Sequence, residues 1–170
     1  MNLTSKRFAS KPYMWQCRIL LKGVLKLKGN GFIKLRIAGQ NLNFEEITQK
    51  LSQQPSFIYR KGDCYTPKFG DKQSIIYEED CWIFEVEKQE NETFDDMLYV
   101  FLTRFIKSKE YIKELSDNFD ATLWVSVYPD DEQSNIHLEN KTLKIISDMG
   151  LVVDLDIMFL KEFYDGTYSK

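Results

Sequence analysis

From Cys17 to Leu27 hydrophobic and polar residues alternate with a period of two. Leu21, Leu25 and Leu27 fall on one side of the chain, and Lys22, Lys26 and Lys28 on the other, as in a half-buried strand. Lys28-Gly29-Asn30-Gly31 breaks the run with a turn signal. Alternation resumes in FIKLRIAG, where Ile33, Leu35 and Ile37 oppose Lys34 and Arg36. Together the two runs predict a hairpin with an apolar inner face and a cationic outer face. The period then lengthens. In NFEEITQKL, Phe44, Ile47 and Leu51 form one helical stripe, and Asn43 and Glu46 have the spacing of a capping box. Pro55 follows and discourages continuation of the helix.

SFIYR reads as a short strand and Lys61-Gly62-Asp63 as a turn, with Gly62 supplying a conformation that a side chain would hinder. Residues 64–80 carry Pro67, Gly70 and the acidic run Glu78-Glu79-Asp80, a loop composition. CWIFEVE is a strand with Trp82, Phe84 and Val86 on one face and Ile83, Glu85 and Glu87 on the other. Thr93 opens a helix with Asp96 in its first turn, favourable at the positive end of the helix dipole. Phe94, Met97, Leu98, Phe101, Leu102 and Phe105 recur there at helical spacing, the signature of a core stripe. Ser108 is placed to cap a further short helix carrying Ile112 and Leu115. ATLWVSVY and NIHLE, separated by PDDEQSN, predict a second hairpin. Asn140 is placed to cap KTLKIISDM, Gly150 to end it, and LVVDLDIMF reads as the last strand.

The predicted order is β-β-α-β-β-α-α-β-β-α-β. Hairpins interleaved with helices imply an α+β domain whose largely antiparallel sheet carries its helices on one face. A ferredoxin-like sandwich, extended or duplicated, fits this order. The outline of hairpin, capped helix and return strand occurs twice, without a residue-level repeat. The 170 residues suffice for one domain with a sizeable core, assigned to 17–165. Residues 1–16 read as a polar basic arm or a poorly ordered start.

Charge changes this picture. No acidic residue occurs before Glu45, whereas nine lysines and arginines do. The remainder holds all 26 acidic residues, and the net charge is −3. Such a division calls for a partner at the basic end or for complementarity within the fold. On the outer face of the first hairpin, Lys22, Lys26, Lys28, Lys34 and Arg36 could contact nucleic-acid phosphates. The favoured account is internal: Glu85, Glu87, Asp154 and Asp156 on the same sheet face would neutralise these cations. Lysines there would also discourage edge-to-edge aggregation. The apolar run after Trp15 is broken by Arg18, Lys22 and Lys26, unlike a signal or membrane segment. A cytoplasmic location is therefore expected. Cys17, Cys64 and Cys81 form no C-x-x-C pair and read as reduced, packed thiols.

Little in the chain resembles a catalytic constellation. His137 is the single histidine and alternates with Asn135 and Glu139 on the polar face of a short strand, so a solvated side chain is the expectation. Asp154 and Asp156, like Glu85 and Glu87, sit at i and i+2, about 7 Å apart on a strand. Such pairs could hold a cation or divide acid and base roles, but charged residues commonly decorate a solvated strand face. Asp130-Asp131-Glu132 lacks the spacing and glycine of a calcium loop. No phosphate-binding glycine motif and no G-x-S-x-G occurs. No catalytic residue, metal site or cofactor is assigned. The candidate binding residues are Arg60, Lys61, Asp63 and Trp82, which would have to converge on one concave pocket.

The strand ending in Gly39, then LNFEEITQKLSQQPS, RKGD and CWIFEVE, followed by a long amphipathic helix and a strand after ISDMG, together resemble a bacterial family catalogued as domain of unknown function 4279. The resemblance spans about residues 32–160 and implies no catalytic residues. The functional expectation is a non-enzymatic, cytoplasmic protein-binding module, extended by analogy to a toxin-neutralising immunity protein. Nucleic-acid binding by the basic hairpin is the alternative, and a small-ligand or hydrolytic site near Trp82 a minor one. The partner is expected to be another protein.

Overall fold

A computed structural model describes residues 31–65, 75–89, 92–128 and 136–157. Its centre is β1 (Gly31–Gly39), whose two edges are both occupied. β5 (Asp80–Glu87) lies antiparallel along one edge from Phe32↔Glu87 to Gly39↔Asp80. β6 (Asp120–Val127) lies antiparallel along the other from Gly31↔Val127 to Ala38↔Asp120. β2 (Phe57–Tyr59) pairs antiparallel outside β5, and β7 (Val152–Ile157) pairs parallel outside β6. The result is a five-stranded, mostly antiparallel sheet in the order β2-β5-β1-β6-β7. A separate two-stranded ribbon joins β3 (Cys64–Tyr65) to β4 (Ile75–Ile76).

This corrects the expected pairings. With β5 and β6 along its whole length, β1 has no edge left for a hairpin with 17–27, which lie outside the described residues. The second hairpin is also absent among the described residues. β6 is flanked by β1 and β7, and 136–139 form no strand. The ribbon β3-β4 lies in a stretch read as loop. For β1 and β6 the local pattern marks a strand segment, while the partners come from far along the chain. The expected arm at 1–16 lies outside the described residues.

Among the described residues four helices cover one sheet face: α1 (Phe44–Leu51), α2 (Phe94–Thr103), α3 (Lys109–Asn118) and α4 (Asn140–Asp148). Their buried stripes meet Ile33, Leu35, Ile37, Trp82, Phe84, Leu123 and Val125 in one core. Phe84, Phe101 and Phe105 form its aromatic centre, with ring centroids 5.4–5.7 Å apart. Each such side chain contributes about 1.5–3 kcal/mol on burial. The α2 stripe is core as its spacing predicts, although Phe94 is only partly buried.

Helix ends follow local chemistry, with three departures. Asn43 Oδ1 accepts the Glu46 N–H, while Glu46 reaches the Asn43 side-chain amide rather than its backbone. Thr93 Oγ1 caps α2 by accepting the Asp96 N–H. Ser108 makes no cap bond. It is the last residue of a 3-10 turn (Ile106–Ser108), and its hydroxyl donates to Lys50 O at the end of α1 (2.7 Å). Asn140 is already inside α4, and the cap position belongs to Glu139. There the cap is supplied from another helix, because the buried Asp95 of α2 accepts the Glu139 N–H at 2.9 Å. α4 ends in a Schellman pair, Leu151 N–H to Ile146 O and Gly150 N–H to Ser147 O, with Gly150 at φ +66°.

Candidate functional site

Arg60 and Lys61 hold one carboxylate, that of Asp80 at the start of β5, and Asp63 closes the turn that carries them. The chain turns at Lys61-Gly62, with Gly62 at φ +91° and the Asp63 N–H bonded to Arg60 O. A positive φ at the third turn position favours glycine. Asp63 closes the turn, its carboxylate accepting the Arg60 N–H at 2.7 Å. The turn delivers the Lys61 N–H to Asp80 Oδ1 (2.9 Å) and Arg60 Nη1 to Asp80 Oδ2 (3.0 Å). Asp80 Oδ2 also accepts the Leu42 N–H at 2.9 Å, and Arg60 Nη1 donates to Leu42 O at 2.7 Å. The guanidinium stacks on Phe44, 3.8 Å from the ring centroid. Asp80 therefore joins the loop before α1 to the turn after β2. The Lys61 N–H leads the donors that hold its carboxyl below the usual carboxylate range, with Leu42 N–H and Arg60 assisting.

Trp82 is elsewhere. It lies on the helix side of β5, fully buried, and its Nε1 donates to Thr48 Oγ1 of α1 (3.1 Å). A shallow groove runs along α1 and β2, lined by Phe44, Thr48, Gln49, Ser52, Pro55 and Ile58 among others. Arg60, Lys61, Asp63 and Trp82 are not part of its lining.

The other candidate residues divide by sheet face. Lys34, Arg36, Glu85, Glu87, Asp154 and Asp156 all fall on the face away from the helices, with Lys34 directly opposite Glu85. Lys34 is buried, its ammonium 4.3 Å from the Trp124 ring centroid. Arg36 bonds to Asp120 and Glu79, carboxylates at the strand ends that the sequence pattern did not single out. Thus Lys34 is closed to solvent phosphates, and the Arg36 guanidinium is already shared between two carboxylates. Lys22, Lys26 and Lys28 lie outside the described residues. His137 is exposed in a segment without strand structure. Cys81 is buried, which pushes its thiol pKa up, away from nucleophilic reactivity, and Cys64 is exposed. Among the described residues no three His, Cys, Asp or Glu side chains are grouped to hold a metal ion. Nor, among them, is any helix long and apolar enough to cross a membrane.

The feature missed in the sequence is apolar exposure at the sheet's margins. At the β2 margin Phe57 and Ile58 are exposed. At the other, Val152, Leu155 and Ile157 of β7 are 53%, 50% and 43% exposed. Among the described residues no strand pairs with the outer edge of β7. VVDLDI reads as an ordinary amphipathic strand, and only its place at the end of the sheet leaves these side chains half in water.

The family model described as Domain of unknown function (DUF4279) matches residues 29–160, which hold the whole five-stranded sheet and its helices. The chain belongs to that family. No curated protein and no solved structure matches it. Membership in DUF4279 agrees with the resemblance carried by LNFEEITQKL, RKGD and CWIFEVE. The turn among these segments builds the Asp80 junction.

Proposed function

We propose that this DUF4279 chain is a non-enzymatic protein-binding module that docks its partner on the outer edge of β7. The carrying observation is that Leu155 and Ile157 on one face of a strand that is an edge among the described residues, and Val152 on the other face, are about half exposed. Exposed strand edges with apolar side chains are templates for association. The polar groups around Asp80, by contrast, are engaged in joining loops. A cytoplasmic, toxin-neutralising role is one form this binding could take. On the fold, a ferredoxin-like reading has support from the β1-α1-β2 and β5-α2-α3-β6 connections. Each joins two parallel strands across one antiparallel neighbour, with α4-β7 as the extension.

A photoreactive phenylalanine analogue at position 155, compared with one at the exposed Glu110 on α3, tests the reading in the native host. A discrete heavier adduct at 155 and none at 110 is expected. No adduct at 155, or the same adducts at both positions, would overturn it.

A further inference from the structure

We infer that the partner adds an extended segment to the outer edge of β7 as a sixth strand, and that this segment alternates apolar and cationic residues. The inference rests on the docking edge proposed above and names the chemistry that fits it. All six residues of β7 pair with β6 on one side, from Thr122↔Val152 to Val127↔Ile157. Among the described residues no strand pairs with its other side, and the outward N–H and C=O groups of an edge strand are a template for another chain. Side chains alternate across the strand. Val153, Leu155 and Ile157 face the helix layer, and Asp154 and Asp156 face the opposite side, beside Trp124 and Ser126.

The helix layer does not close over this margin, because Leu155 and Ile157 remain about half exposed. An added strand would cover them with its own apolar residues on that side. On the other side it would meet two carboxylates in succession. Burial already pushes the Asp156 carboxyl upward, with Lys34 opposing. A cation directly across would favour its charged form.

The same geometry disfavours a second copy of β7. In two-fold antiparallel self-pairing, the in-face registers nearest the strand centre set Asp154 opposite Asp154, or Asp154 opposite Asp156. Like charges directly opposite destabilise a strand pair. Lysine or arginine at every second position turns that repulsion into attraction and leaves the apolar face matched.

The test uses the full chain and labelled ten-residue peptides, read by fluorescence anisotropy. One peptide alternates lysine and valine; a second has the same composition in two blocks; a third is the alternating peptide N-methylated at every residue, which removes the donors from both of its edges. The alternating peptide should bind at least about tenfold more tightly than either control, since only it can present one cationic face and an intact hydrogen-bonding edge. Asp154→Asn with Asp156→Asn should weaken it several-fold, and added salt should do the same. Equal binding of all three peptides would reduce the effect to nonspecific charge attraction and overturn the inference, as would no binding. An adduct at position 155 alongside peptides that fail to discriminate would leave the docking edge standing and remove strand addition. Failure of both would remove both.

Discussion

Asp80→Asn isolates the junction that the RKGD turn builds. Aspartate uses both oxygens, Oδ2 for the Leu42 N–H and Arg60, and Oδ1 for the Lys61 N–H. Asparagine keeps the shape but offers one oxygen, so whichever way it flips, its NH₂ group faces a backbone N–H. One charge-assisted bond is lost and one donor is left opposed, at about 1–3 kcal/mol for the stranded group. The Arg60 side chain is 51% exposed, so its ion pair adds no more than about 1 kcal/mol. The expected destabilisation is about 2–3 kcal/mol, or about 4–12 °C in Tm for a domain of this size.

Urea unfolding followed by far-UV circular dichroism measures it, and the pH dependence gives a second check. The carboxyl of Asp80 is held below its ordinary value of 3.8 in the folded chain. Its contribution is therefore present above that value and lost as pH falls through the lower folded value. The gap between wild type and Asp80→Asn should stay constant from neutral pH to about 5, then narrow below about 4. Lys61→Ala should cost less than about 0.5 kcal/mol, because Asp80 binds the Lys61 backbone rather than its ammonium. A gap under about 0.5 kcal/mol at pH 7, or Lys61→Ala as damaging as Asp80→Asn, would refute the account.

Three further outcomes can be checked. Gly150→Ala should destabilise by about 1–2 kcal/mol, from its left-handed φ and a new Cβ 2.7 Å from Ser116 Oγ. Adding Ser116→Ala should restore only the contact part, measurable as a double-mutant cycle. Asp95→Ala should cost about 1–2 kcal/mol in urea unfolding by uncapping α4, with faster amide exchange at Glu139 in the folded protein. Under native conditions, peptide mapping after alkylation should show Cys64 modified rapidly and Cys81 only when the chain unfolds; equal rates would contradict the buried position of Cys81.

Legibility in the sequence followed the range of each interaction. Asn43, Thr93 and Gly150 mark helix ends because their partners lie within a few residues. The face assignments of Ile33, Leu35, Ile37, Trp82 and Phe84 hold because alternation along a strand is a local property. The cap of α4 was not legible, since its acceptor, Asp95, lies 44 residues away. Nor were the partners of Arg36: Asp120 is 84 residues distant and Glu79 is 43.

By itself, then, the sequence determined the α+β class, most element positions, the stripes that form the core and the family to which the chain belongs. Only the tertiary structure decided that β1 is central, that RKGD wraps a carboxylate, and that VVDLDI sits at an edge. Strand pairing sets this division. Any amphipathic strand can accept several neighbours of the same pattern, and the choice is made by how all strands and helices close one core together. Because β5 and β6 take both sides of β1, β7 ends the sheet beyond β6, with Leu155 and Ile157 half in water.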